Sequence, residues 1–167
     1  MLPHPQNTTF AQRFIMALSA TYPVSWLLSR LLHHLDGFIL RITRGRHTAT
    51  NLLTGLPVVW LTATGAKSGL PRTVPLVALK DEDKYILIAT YFGNPHHPSW
   101  YHNIVAHPEV KLSINGTPRP YLAREALGEE RQAYWQQAID RYRGYELYRL
   151  RSKGRQIPVM VLSPAQE

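Results

Sequence analysis

Cysteine is absent from the 167 residues of this chain. Disulfide bonds, thiolate nucleophiles, iron–sulfur clusters and thiolate-based zinc sites are therefore excluded. Long apolar runs are also absent, because no stretch approaches the roughly 18 apolar residues that a membrane-spanning helix needs. No G-x-S-x-G motif and no pair of carboxylates within a polar motif occurs, so hydrolysis has little support.

Acidic residues are scarce relative to basic ones: 11 Asp and Glu stand against 19 Lys and Arg, for a net charge of +8. This excess predicts an anionic partner, whether a phosphate-bearing ligand, a nucleic acid or an acidic membrane surface. The sequence has no aromatic strand motif or other module typical of nucleic-acid binding, so we expect no nucleic-acid partner. Hydrophobic residues make up 44% of the chain, enough for the core of one domain.

The N-terminal part of the chain divides by composition. Residues 1–9 are rich in proline and polar side chains, which predicts a flexible N-terminus. Residues 10–46 carry apolar side chains at helical spacing, interrupted at Tyr22-Pro23, and predict an amphipathic helical segment. That segment either packs on the domain or lies as a basic helix on a membrane surface. We expect no signal peptide, because the apolar stretch Phe14–Ala20 is short and residues 1–9 lack a basic start. A chain without cysteine is compatible with the cytosol, so we expect a cytoplasmic protein and leave open a peripheral contact with the inner face of the membrane.

The rest of the chain, residues 47–167, has the alternating pattern of strands and predicts a single β-rich domain. The predicted strands are Val58–Thr64, Arg72–Leu79, Tyr85–Thr90, Val110–Ile114, Arg119–Arg124 and Ile157–Leu162, and the predicted helices are Ser99–His107 and Glu129–Arg143. Asn115-Gly116 is a strong hairpin signal, and Pro75 places its strand at an edge or a bulge. Because short turns join antiparallel strands, we predict an α+β, mainly β fold: a small antiparallel barrel with flanking helices and an N-terminal helical segment.

The turn Gly65–Gly69 resembles a phosphate-binding P-loop only superficially. Trp60 occupies the position of the first P-loop glycine, Ala66 separates Gly65 from Lys67, and a strand follows instead of a helix. Glycines nevertheless allow backbone N–H groups to face an anion, and Lys67 and Arg72 add positive charge. The segment is therefore either an anion-binding turn or an ordinary solvated hairpin turn.

Residues 94–103 (NPHHPSWYHN) are dense in histidine and aromatic side chains. We predict no metal site, because the adjacent His96 and His97 point in different directions and no carboxylate stands nearby. An aromatic wall with a few polar anchors suits a flat heterocyclic ligand. Alternatively, Trp100 and Tyr101 are simply core residues.

Three tyrosines, Tyr142, Tyr145 and Tyr148, follow one another at three-residue steps. On a helix this spacing places them on one face. They form either a packed aromatic stripe or a mobile lid whose phenols donate hydrogen bonds to a substrate oxygen.

Four segments together resemble the deazaflavin-dependent nitroreductase family. Leu61–Leu76 is similar to its first motif, and His97–Asn103 followed by His107–Val110 to its second. The three tyrosines match positions near its C-terminus, and Ile157-Pro158-Val159 matches its last strand. The resemblance covers roughly residues 40 to 164 and is ordered and well spaced, far beyond a lone short motif.

The resemblance implies a split β-barrel over residues 47–167 that binds the deazaflavin coenzyme F-420, with FMN as the alternative cofactor. It implies that Lys67 and Arg72 hold the anionic tail, while Trp100 and Asn103 lie along the ring and its linker. The complete set of cofactor-binding residues that it implies is Lys67, Ser68, Gly69, Arg72, Ala89, Thr90, Tyr91, Trp100 and Asn103. Two departures remove tail-binding features: Ala66 stands where many members carry arginine, and Tyr91-Phe92 where some carry Lys-Gly.

The activity that the resemblance implies is hydride transfer from reduced coenzyme F-420 to a small electron-poor acceptor, namely a quinone, an enone or a nitroaromatic compound. Tyr145 is expected nearest the reacting group, with Tyr142 or Tyr148 assisting it. A cofactor that carries the redox chemistry explains why no reactive cysteine or metal is needed. A carrier that binds the cofactor without turnover is the alternative, and a homodimer is compatible with the resemblance.

Overall fold

The computed structural model describes residues 57–114 and 116–165. Six strands are present: β1 (Val58–Thr64), β2 (Pro71–Asp81), β3 (Lys84–Ile88), β4 (Glu109–Ile114), β5 (Thr117–Glu125) and β6 (Val159–Pro164). Three α-helices flank them: α1 (Ser99–Ala106), α2 (Gly128–Arg141) and α3 (Gly144–Arg151), together with a 3-10 turn at Tyr91–Gly93. The predicted α+β, mainly β class is confirmed for these residues.

The strands close into an antiparallel barrel in the order β1-β2-β3-β6-β5-β4. The two ends of the long strand β2 pair with different neighbours. Its first part, from Pro71 to Val77, pairs with β1, whereas only Ala78 to Asp81 pair with β3. Pro75 lies in the first part, opposite Trp60, which agrees with the predicted edge position because proline cannot donate to a second neighbouring strand.

Alternation along the strands divides the buried side chains between two cores. Leu87 of β3 and Leu162 of β6 face the barrel interior, while their neighbours Ile86 and Val161 face outward into a second core. The second core lies between the outer face of the sheet and helices α2 and α3, whose tyrosines belong to it. One face of β3 and β6 is buried in the barrel interior and the other is covered by the helices. Because both faces are buried, these two strands carry mostly apolar side chains.

Sequence-based boundaries are wrong in several elements; the predicted strand Ile157–Leu162, for example, runs from Val159 to Pro164. The predicted helix Glu129–Arg143 ends at Arg141, because the backbone of Tyr142 is extended (φ −151°, ψ 105°), and a separate helix begins at Gly144. The predicted strand Tyr85–Thr90 ends at Ile88, because the chain turns into the 3-10 turn. The β4–β5 hairpin is confirmed, with Gly116 at φ 86°, a value that favours glycine.

The predicted flexible N-terminus (residues 1–9) and the helical segment (residues 10–46) lie outside the described residues, as does Asn115 of the hairpin turn. Among residues 57–114 and 116–165, none of the helices combines the length and the apolar character needed to cross a bilayer.

Candidate functional site

A cleft of about 880 Å³ opens between the barrel wall and helix α1. Its volume falls within the range that small ligands and cofactors occupy in proteins. The barrel contributes the apolar side chains Leu61, Ala63 and Val74, and α1 contributes the indole of Trp100. The polar lining consists of Lys67, Ser68, Arg72, Ser99, His102 and Asn103.

The turn between β1 and β2 forms one rim of this cleft. The Gly65 N–H donates to Leu70 O (2.9 Å), and the Gly69 N–H donates to Gly65 O (2.8 Å). The Ala66 N–H donates to Asn103 Oδ1 (3.0 Å), which ties the turn to α1. These three amides are therefore already paired within the protein, whereas the side chains of Lys67 and Arg72 are exposed and present positive charge at this rim.

Asn103 therefore has a positioning contact that the sequence does not reveal. We expect Asn103→Ala to raise the Kd for the anionic ligand by about tenfold, because the turn loses its anchor on α1. Asn103→Asp retains an acceptor for the Ala66 N–H but adds a negative charge beside the ligand. Relative to the wild-type Kd at the same salt concentration, the Kd of Asn103→Asp should recover as salt screens the added charge. The Kd of Asn103→Ala relative to wild type should not change with salt. Isothermal titration at low and high salt distinguishes the two variants; identical salt dependence would contradict the assignment.

The structure does not place all the predicted cofactor-binding residues on the cleft. Lys67, Ser68, Arg72, Trp100 and Asn103 line it together, and Gly69 closes the turn with φ 65°. By contrast, Ala89, Thr90 and Tyr91 lie outside the lining residues, in the segment that leads from β3 into the 3-10 turn. The carbonyl oxygens of Ala89 and Thr90 accept hydrogen bonds from Arg155 (3.1 and 2.7 Å).

Sequence reasoning missed His102, which lines the cleft beside the cationic rim. It lies at the edge of a cluster in which the rings of His97 and Tyr101 are 4.8 Å apart. The Tyr101 hydroxyl donates to Glu125 Oε2 (3.0 Å), and burial together with this bond raises the pKa of Tyr101. Burial, reinforced by the charges of Arg155 and His102, lowers the pKa of His97 against the opposing effect of Glu125. The available signal was its place within residues 94–103, the segment dense in histidine and aromatic side chains.

The three tyrosines come together, but in the outer core. Their ring centroids are 5.8 to 6.2 Å apart, and Tyr145 and Tyr148 are each 6% exposed. Tyr142 follows the last residue of α2 while the other two lie on α3, so the three tyrosines do not share one helix face. Burial raises the pKa of Tyr145 and, together with Tyr142, that of Tyr148, so both phenols stay protonated donors at neutral pH. None of the three lines the cleft.

These tyrosines and Tyr134 predict a loss of stability in alkali. A hydrogen bond to Asp81 (2.7 Å), with burial, raises the pKa of Tyr134 to about 12. In the unfolded chain a tyrosine ionises near pH 10, so above about pH 10 the folded state retains protons that the unfolded state releases. We expect the urea midpoint to hold up to about pH 10 and to fall between about pH 10 and 12. Tyr134→Phe should make that fall shallower without abolishing it, because Tyr145 and Tyr148 remain. A wild-type midpoint that stays constant over this range would refute the prediction.

The donor chemistry of the cleft fits a planar ligand with an anionic tail. Trp100 and the small apolar side chains suit a heterocycle, and Lys67 and Arg72 suit phosphate or carboxylate groups. Within the part of the chain that the structure describes, no group of three or more His, Asp or Glu side chains is arranged to hold a metal ion.

Comparison with known proteins agrees with this geometry. The sequence profile of the F420H(2)-dependent quinone reductase family matches residues 37–164, more than half of the chain. A Mycobacterium tuberculosis protein named as a candidate F420H(2)-dependent quinone reductase is 29% identical over 109 residues, which cover 65% of this chain and 91% of the relative.

Two solved structures share the fold. A structure described as an F420-H2 dependent reductase is 41% identical, with a TM-score of 0.58, over 64% of this chain and 94% of the other. A chain described as a domain-swapped dimer is 35% identical, with a TM-score of 0.60, over 85% of this chain and 100% of the other. The split-barrel fold expected from the sequence motifs is thereby confirmed.

Proposed function

The chain belongs to the F420H(2)-dependent quinone reductase family, and from this premise we propose that it is an oxidoreductase that reduces quinones with coenzyme F-420. When bound, the reduced cofactor supplies a hydride to an electron-poor acceptor. The observation that carries the proposal is the cleft in which Lys67, Arg72 and Trp100 meet. A basic rim and an aromatic wall in one cleft suit a negatively tailed planar heterocycle better than either feature alone.

Lys67 and Arg72 would hold the anionic tail at the rim of the cleft, while Ser68 and Gly69 shape the turn that carries them. Arg72 provides the fork that binds phosphate or carboxylate in two places, and Lys67 provides a point charge. Trp100 would cover the ring, and Asn103 would fix the turn through Ala66. Ala89, Thr90 and Tyr91 lie outside the cleft lining, so they would border only a part of the cofactor that extends beyond the cleft toward β3.

The tyrosines would act on the acceptor rather than on the cofactor. Tyr145 would donate a hydrogen bond to the acceptor oxygen as negative charge builds there, with Tyr142 or Tyr148 assisting. Solvent or a phenol would supply the proton that completes reduction to the hydroquinone. Because Tyr145 is 6% exposed, this role requires that α3 shift when the acceptor binds.

Titration with coenzyme F-420 and with FMN, followed by turnover with menadione, tests the function. We expect saturable binding of coenzyme F-420, weaker binding of FMN, and oxidation of reduced coenzyme F-420 that depends on menadione. Tight binding without oxidation would favour a carrier. Binding of neither cofactor would refute the proposal.

We propose in addition that residues 10–46 contact the inner face of the membrane, where lipophilic quinones reside. Arg30, Arg41 and Arg44 lie off the apolar stripe of this segment, as in helices that bind anionic surfaces. The full-length protein should float with anionic vesicles and much less with neutral ones. Leu31→Ser/Leu35→Ser in the full chain should reduce flotation severalfold; unchanged flotation would remove this segment from the argument.

A homodimer is our remaining proposal about partners. Its support is the 35% identical chain described as a domain-swapped dimer, which this chain covers completely. Light scattering of the full-length protein should give twice the 19.1 kDa mass of one chain, and a monomer mass at all concentrations would refute it.

A further inference from the structure

The guanidinium of Arg155 donates to three carbonyl oxygens of the segment between β3 and α1. Its Nη2 donates to Thr90 O (2.7 Å), its Nη1 to Ala89 O (3.1 Å) and its Nε to Asn94 O (3.0 Å). Nη1 also lies 3.1 Å from Nδ1 of His97. The five N–H donors of arginine lie in one plane, so a single side chain fixes all these groups relative to one another.

Residues 89–94, the segment that Arg155 contacts, include three consecutive residues with positive φ. Tyr91 (φ 49°) and Phe92 (φ 56°) adopt the left-handed conformation that side chains disfavour, and Gly93 follows at φ 82°. Two such residues in succession persist only where the surroundings determine them. Gly93 packs so closely on α3 that a Cβ atom there would lie 2.6 Å from Arg151 Cβ.

Arg155 is itself fixed to the end of the helix that carries Tyr145 and Tyr148. The Ser152 hydroxyl lies 2.7 Å from Arg149 O and 3.0 Å from Arg155 O, and the Arg155 N–H donates to Ser152 O (3.1 Å). The ring of Phe92 meets Tyr148 edge-on at 6.0 Å. One residue thus joins the tyrosine helix to the segment that leads into α1 and the cleft.

We propose that Arg155 is a positioning residue that holds residues 89–94 in the conformation the cofactor needs and links this segment to α3. The inference rests on the proposed function, because the segment leads into α1, whose Trp100 and Asn103 line the cleft proposed for the cofactor. Arg155 and its four acceptors together form a clamp, in which Nδ1 of His97 is the fourth acceptor. Since arginine can only donate, Nδ1 of His97 carries the lone pair, and the proton of the neutral imidazole is on Nε2.

Arg155→Gln tests this role, with the exposed Arg149→Gln on α3 as the matched control. Amide hydrogen exchange of the cofactor-free protein should be at least about tenfold faster across residues 89–94 in Arg155→Gln, and unchanged in α2. The Kd of oxidised coenzyme F-420, from fluorescence quenching, should rise at least about tenfold. Arg149→Gln should change both quantities less than about twofold. Exchange or binding within twofold of wild type in Arg155→Gln would overturn the proposal.

Salt dependence distinguishes positioning from direct contact with the ligand. If Arg155 acts through the segment, the ratio of the Kd values of Arg155→Gln and wild type should be the same at low and high salt. A ratio that collapses at high salt would indicate a direct charge contact and overturn the proposal. Failure of wild type to bind coenzyme F-420 would refute the proposed function instead, while exchange would still report on residues 89–94.

A pair of His97 variants decides the matter if Arg155→Gln does not fold. The amide oxygen of asparagine replaces Nδ1 as an acceptor at nearly the same position, whereas the glutamine amide reaches the position of Nε2. We expect His97→Asn to keep the Kd and the exchange within about threefold of wild type, and His97→Gln to shift both about tenfold. Equal behaviour of the two variants would contradict the clamp.

Discussion

Replacing Lys67 and Arg72 together by alanine is expected to raise the Kd for coenzyme F-420 by about 100-fold. Each side chain lines the cleft and would make a charge-assisted hydrogen bond to the anionic tail, worth about 1.5 kcal/mol or more, or roughly tenfold in affinity. Both side chains are exposed, so the effect should shrink as salt screens the charges. Fluorescence titration at two ionic strengths measures both the loss and its salt dependence.

The control for this prediction is Lys80→Ala, which removes an exposed positive charge from the same strand away from the cleft. It lowers the net charge without touching the rim, and its Kd should stay within about twofold of wild type. Arg72→Lys keeps the charge but loses the fork, so its Kd should lie between those of wild type and Arg72→Ala. Equal weakening by Lys80→Ala and Arg72→Ala would mean that net charge alone attracts the cofactor.

Replacing Tyr145 by phenylalanine is expected to lower kcat with menadione by tenfold or more, with little change in the Kd for coenzyme F-420. The substitution keeps the ring that packs against Trp135 and Tyr142 but deletes the hydroxyl that would stabilise the developing charge on the acceptor oxygen. A hydrogen bond to such a charge is worth about 1.5–3 kcal/mol. Steady-state kinetics at saturating reduced cofactor measures kcat directly.

Tyr134→Phe is the matched control, because it deletes a hydroxyl from the same outer core that bonds to Asp81 rather than facing an acceptor. It should lower stability while leaving kcat within about twofold. An unchanged kcat in Tyr145→Phe would remove Tyr145 from the catalytic role. The raised pKa of Tyr145 adds a further expectation: ionisation of this phenol should not limit kcat of the wild type below about pH 10.

Several parts of the fold followed from local sequence rules. Alternating apolar residues located β1, where Val59, Leu61 and Ala63 are buried and their neighbours are half-exposed. Pro75 marked the part of β2 that has one partner only, because proline lacks the N–H that a second neighbouring strand requires. The Asn-Gly pair at positions 115 and 116 marked the β4–β5 hairpin, and Gly116 adopts the positive φ that such turns require.

Local rules failed where distant contacts decide the backbone. Gly144 was a local signal for a bend, but the extended backbone at Tyr142 accompanies the packing of Tyr145 and Tyr148 in the outer core, which no local pattern records. Ala89 and Thr90 looked like a continuation of β3, but Arg155, more than sixty residues away, binds their carbonyl oxygens where the chain leaves the sheet. Propensity is a weak prior against such contacts.

The sequence alone determined which chemical groups are present: cationic side chains beside a glycine turn, an indole, several phenols and no thiol. Because these groups set which ligands can be bound, the sequence determined the class of ligand. The sequence also determined the β-rich class, because apolar residues at every second position match the alternation of side chains along a strand. Tertiary structure alone decided which of these residues meet. Closing the barrel brought the β1–β2 turn against α1, gathered the tyrosines in the outer core and gave Arg155 its carbonyl partners. Such pairings arise between segments far apart in the chain, where no local pattern records them.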